Sequence, residues 1–115
     1  MWIFTDSGFI SAVRKTDRPD LLTIRARDEQ SLLPLAQLTN QPVAHSPRGD
    51  YPYRIFVTNT DLANWLSGQV MTLEYDNFKN RVYKTRGRKF VDALHNVWSV
   101  MHQVELLEAR LEKGN

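Results

Sequence analysis

The chain contains no cysteine among its 115 residues. That absence excludes a disulfide framework, a thiolate zinc site and a cysteine nucleophile together, and it fits a reducing compartment. Long apolar runs are missing as well. No stretch approaches the roughly 18 apolar residues of a membrane span. The opening Met1-Trp2-Ile3-Phe4-Thr5-Asp6 has neither the basic start nor the extended apolar run of a secretory signal. The expectation is a soluble, cytoplasmic protein with no membrane contact. A strong charge of one sign is also lacking: 15 basic residues face 13 acidic ones for a net charge of +2, too mild by itself to indicate a nucleic-acid partner. Catalytic signatures are absent too. There is no G-x-S-x-G elbow and no H-E-x-x-H helix. Ser46 adjoins His45 with Asp50 nearby, but neighbours on a strand point to opposite faces.

What is present is a well-patterned globular chain, 42% hydrophobic and 24% charged, long enough to bury a core. Trp2–Thr5 and Phe9–Lys15 flank the turn signal Asp6-Ser7-Gly8 and read as a hairpin. After a second turn at Thr16–Asp20, Leu21–Arg27 alternates: Leu22, Ile24 and Ala26 face one way and Thr23, Arg25 and Arg27 the other, the period of a half-buried strand. Leu32, Leu35, Ala36 and Leu38 mark a short helix. With Ser31 as N-cap, Pro34 falls in the first turn, where its missing N–H is not needed; the helix ends near Asn40. Val43–Ser46 and Tyr53–Val57 are two further strands around a proline-rich loop. Thr58 and Asp61 form a shortened capping box for a helix striped by Leu62, Trp65, Leu66, Val70 and Leu73. A third helix carries Tyr75, Phe78 and Val82, and Gly87 breaks it. From Arg88 a long helix runs towards Glu112 with Phe90, Leu94, Val97, Met101 and Val104 at alternating spacings of four and three.

Strands precede helices, so the fold class is α+β. The expected architecture is a mostly antiparallel sheet of four to five short strands with helices packed on one face and a helical C-terminal third. The domain is expected to span residues 1–104, with 105–115 a helix extension and frayed tail.

Several stretches together resemble a group of small uncharacterised bacterial and bacteriophage proteins. They are Trp2-Ile3-Phe4-Thr5 with Gly8-Phe9-Ile10-Ser11-Ala12-Val13, Ile24-Arg25-Ala26-Arg27, Asp50-Tyr51-Pro52-Tyr53-Arg54, Tyr75-Asp76-Asn77-Phe78-Lys79, and Val97-Trp98-Ser99-Val100-Met101. The resemblance reaches to about Met101. It implies a coherent domain of phage or prophage type and brings no activity, ligand or site residue with it.

Candidate sites come from local chemistry. Lys79–Lys89 holds six basic residues in eleven and no acidic one, leaving the remainder of the chain at −4. Lys79, Arg81, Lys84, Arg86, Arg88 and Lys89 can neutralise phosphates or meet an acidic protein, and Tyr83 can stack on a base. The plain alternative is a solvated helix end whose cations favour the negative pole. In Asp50–Arg54, Pro52 restricts Tyr51 to an extended conformation. Arg48, Tyr51 and Arg54 then present residue types that dominate interface hot spots, or else Tyr51 and Tyr53 share a core face while Asp50 pairs with Arg54. Trp2, Trp65 and Trp98 read as core. His95 and His102 share a helix face about 10 Å apart, too far for one metal ion. His102 and Glu105 are spaced for a local pair. The long helix, at roughly 37 Å, outruns a domain of this size, so Leu107 and Leu111 are candidates for a dimer or partner contact. The expected function is a non-enzymatic protein-interaction module, a possible modulator of a host system. A nucleic-acid-binding accessory protein using 79–89 stands second, and an enzyme with an unrecognised site third. No catalytic residue, cofactor or metal ligand is assigned.

Overall fold

A computed structural model describes residues 1–114, and the last residue of the expected tail, Asn115, lies outside the described residues. The chain divides into two compact units, Met1–Asp76 and Asn77–Asn115.

The first unit is an antiparallel sheet with helices. Its strands are β1 (Trp2–Thr5), β2 (Gly8–Val13), β3 (Leu22–Ala26), β4 (Ala44–His45) and β5 (Tyr53–Val57), in the spatial order β1-β2-β3-β5-β4. The first three form the expected meander, with Phe4 opposite Phe9, Ser11 opposite Arg25 and Ala12 opposite Ile24. Strand β5 pairs with β3, setting Ile24 against Ile55 and Arg25 against Arg54. Alternation along the strands sends Ile10, Ala12, Ile24, Ala26, Ile55 and Val57 to one face. That face packs against Leu32 and Leu35 of the first helical segment and Leu62 and Trp65 of the next, in one apolar cluster.

The first helix starts differently from its expected form. A 3-10 turn, Gln30–Leu32, precedes α1 (Leu33–Thr39), and Ser31 sits inside that turn instead of capping α1. Neither N-cap position, Glu29 of the turn nor Leu32 of α1, makes a side-chain cap; the Asp28 carboxylate instead accepts from the Ser31 backbone N–H at 3.1 Å. Pro34 does lie in the first turn of α1, and Asn40 closes the helix in the left-handed region. Helix α2 (Asn59–Met71) opens on the full reciprocal box: Thr58 accepts from the Asp61 N–H, and the Asp61 carboxylate accepts from the Thr58 N–H. Its stripe buries Leu62 and Trp65 but leaves Val70 and Leu73 exposed.

The second unit is a helical hairpin of α3 (Phe78–Arg86) and α4 (Arg88–Gly114). Gly87 joins them with φ 83°, a conformation that favours glycine. Asn77 caps α3 by accepting from the Asn80 N–H at 3.0 Å. Val82 and Leu94 are buried. Lys79 lies over the Trp98 ring at 5.5 Å and Arg86 over the Phe90 ring at 4.3 Å. The two contacts set α3 antiparallel to the first three turns of α4. Nine residues of α3 against 27 of α4 leave roughly 27 Å of α4 beyond the hairpin at 1.5 Å per residue.

Candidate functional site

Two features stand out, one in each unit. In the first unit Tyr51 is 4% exposed and adopts φ 57°. This overturns the extended conformation expected from Pro52. A bulky residue in the left-handed region is uncommon and is held there by its surroundings. The surroundings are the Arg27 guanidinium 3.9 Å from the ring centroid, that of Arg25 at 4.5 Å, and the Phe9 ring at 6.4 Å. Phe9 in turn stacks on Phe4 at 4.5 Å and meets Trp2 edge-on. Tyr51 therefore packs with residues of the sheet face opposite the core. Tyr53 packs on the core side and stacks on His45, so the two tyrosines do not share a face. The left-handed turn at Tyr51 is what separates them.

The charges around Tyr51 also pair differently from expectation. The Asp50 carboxylate takes Arg27 as its ion-pair partner, while Arg54 donates to the Asp50 backbone carbonyl at 3.3 Å. Arg25 donates to the Ser11 hydroxyl at 2.8 Å. Arg48 is exposed. The hydrogen bond from Arg27 holds the Asp50 carboxyl below the ordinary carboxylate range, and the same contact raises Arg27. A carboxyl depressed by folding contributes stability above its unfolded pKa, near 3.9, and loses that contribution as pH falls through the lower folded value. The pair is largely exposed, so the contribution is small. In an NMR titration, Asp50 should titrate below the ordinary carboxylate range, and Arg27→Gln should move it back towards that range. An unmoved Asp50 in that variant would show that Arg27 is not the cause.

In the second unit the basic segment is unevenly exposed. Lys79, Arg81 and Arg86 are half-buried, Lys79 and Arg86 against rings of their own unit; Tyr83, Lys84, Arg88 and Lys89 are exposed. The apolar stripe of α4 behaves the opposite way. Only Leu94 is buried. Trp98 is 56% exposed and Trp2 70%, so of the three tryptophans expected in the core only Trp65 is there. Trp98 instead stacks between His95 and His102 along the helix, and His102 pairs with Glu105 at 3.1 Å as its spacing predicts. Val100, Met101, Val104, Leu106, Leu107 and Leu111 are 49–60% exposed. The exposed apolar stretch of α4 thus begins at Val97. Val100, Gln103, Val104, Leu106, Leu107 and Arg110 line a shallow groove. All six lie on α4, so the groove has one wall. One wall does not enclose a small molecule, whereas a second helix supplies the other.

Arg25, Arg27, Val100 and Val104 were not candidates from sequence. The arginines carried a signal in the alternation of Thr23, Arg25 and Arg27 along and just past β3, which sets two cations and no anion on one side. Val97, Val100, Val104, Leu107 and Leu111 carried one in their strict spacing of three and four. Among the described residues, no group of three or more His, Cys, Asp or Glu side chains could hold a metal ion, and no helix is long and apolar enough to cross a membrane.

The architecture defines the class: an α+β protein with a five-stranded antiparallel sheet and a long C-terminal helix. No protein-family model, curated protein or solved structure matches the chain.

Proposed function

We propose that this protein is a small non-enzymatic interaction module whose working surface is the exposed face of α4 and whose partner is an amphipathic helix. The observation carrying this reading is the run of half-exposed valine, methionine and leucine side chains from Val100 to Leu111. Apolar side chains at alternating three and four spacing form the seam that a second helix covers. Monomeric proteins rarely leave a contiguous apolar strip of this kind in water. The flanks, Gln103 and Arg110 on one side and Glu108 on the other, supply the polar rim of such a contact.

The nucleic-acid reading rests on Tyr83, Lys84, Arg88 and Lys89, four residues around one helix junction, and has less support because Lys79 and Arg86, two of the six cations, lie against rings of the hairpin. A phage-type modulator of a host system remains compatible with either reading.

Site-specific photo-crosslinking tests the proposal. A photoreactive residue at Val100 or Leu107 should give a defined protein adduct, and one at exposed Gln37 on α1 should not. Absence of any adduct from the α4 positions, or equal adducts from Gln37, would sink the reading.

A further inference from the structure

Resting on the reading of α4 as a helix-binding surface, we infer that the helix it binds is α4 of a second copy of this chain, packed antiparallel. Symmetry lets one apolar strip cover itself without a second protein. In antiparallel pairing, alternate seam positions of the two copies form mixed layers. The register that overlaps only the length beyond α3 places Val104 against Leu107 of the second copy and Val100 against Leu111. Both reciprocal layers form at once, so four seam residues per copy leave water together.

Charge favours this arrangement over its competitor. In the antiparallel register Arg110 lies opposite Gln103 of the second copy, a donor meeting an amide acceptor, and Glu108 lies opposite Met101. No like charges face each other. A parallel pair would instead set the two basic segments side by side, six cations from each copy within 79–89 and no acidic residue among them. Side-by-side helices are about 10 Å apart, close to the screening length of about 8 Å at physiological salt. The antiparallel register separates the starts of the two α4 helices by about 50 Å at 1.5 Å per residue. It also aligns the two helix dipoles head to tail.

The area sets the strength. Half-exposed side chains along the strip bring the interface to roughly 1,000 Å² over both copies, the lower end for a specific contact. The dimer is therefore weak and concentration-dependent, with monomer dominating in dilute solution.

The full chain tests this directly. In sedimentation velocity the weight-average mass should climb from one chain towards two as concentration rises from micromolar to millimolar. The variant carrying Val104→Glu and Leu107→Glu should stay at one chain throughout with unchanged circular dichroism, because both residues are exposed in the monomer. Orientation follows from single-cysteine chains, which report cleanly because the sequence has no cysteine of its own. Mixed Val100→Cys and Leu111→Cys chains should oxidise mainly to the mixed disulfide. Like-with-like disulfides alone would establish parallel packing and overturn the inference, as would a wild-type chain that remains monomeric at millimolar concentration. A monomer whose α4 still crosslinks to a different protein would overturn this inference and leave the interaction reading standing.

Discussion

Trp65→Ala is expected to remove about 3–5 kcal/mol of stability, lowering the thermal midpoint of the first unit by ~10 °C or more. Trp65 is 5% exposed and sits in the cluster formed by the sheet face, α1 and α2. It holds α2 to residues far from it in sequence, including Ile10 and Ile24. The loss combines the transfer free energy of a large ring with the cavity left among β-branched neighbours that cannot collapse freely. Trp65→Phe should cost much less, under about 2 kcal/mol. The indole Nε1 is buried without a hydrogen-bond partner, so the ring contributes through its area and its N–H contributes no bond. Removing a buried donor that lacks a partner offsets part of the lost contact. Chemical denaturation of the three proteins reads this order. If Trp65→Phe proved as costly as Trp65→Ala, the N–H would have to be bonded in solution. A Trp65→Ala loss under about 1 kcal/mol would show that the cluster closes around the gap.

Tyr51 offers the second large effect, with an inverted order of substitutions. Tyr51→Ala removes a ring held between Arg25 and Arg27 and beside Phe9, and it keeps a Cβ in the left-handed region. A loss of about 2–4 kcal/mol is expected for a buried aromatic of this kind. Tyr51→Gly loses the same ring but relieves the left-handed conformation, which costs an L-residue roughly 1–2 kcal/mol. Glycine is ordinarily the worse replacement because its unfolded chain is freer. Here it should be the better one by about 1 kcal/mol. Equal stabilities, or alanine above glycine, would mean that position 51 relaxes to an extended backbone once the ring is gone.

Much of the fold was legible in the residues. The alternation Leu22-Ile24-Ala26 places Ile24 and Ala26 in the core with Leu22 half-buried at its edge, but the opposite face is not simply wet, because Thr23 on it is buried as well. Thr58 and Asp61 cap α2, Pro34 falls in a first helical turn and Gly87 takes positive φ, because each depends on chemistry within four residues. The Ser31 cap is not made because its hydroxyl is engaged elsewhere, donating to the Asp28 carboxylate and accepting from the backbone N–H of Phe9 on β2. The candidate site was less legible. Leu107 and Leu111 were singled out for helix length, and the seam they complete with Val100 and Val104 was visible as spacing. Its exposure was not, because a stripe at three and four spacing reads the same whether a sheet or water lies against it.

The basic segment shows the same division. The sequence established six cations in eleven positions. The fold turned Lys79 and Arg86 onto Trp98 and Phe90 and left Lys84, Arg88 and Lys89 to solvent. Likewise the sequence located Tyr51 beside a proline, and long-range packing overrode the local preference. By itself, then, the sequence determined the absence of thiol chemistry, the order of strands and helices, the Thr58–Asp61 cap and the period of every apolar stripe, since these follow from covalent chemistry and near-neighbour geometry. Only the tertiary structure decided which stripes are covered, which tryptophan is core, and that α4 carries its apolar face into water. Coverage depends on elements distant in sequence meeting in space, and no local pattern encodes that meeting.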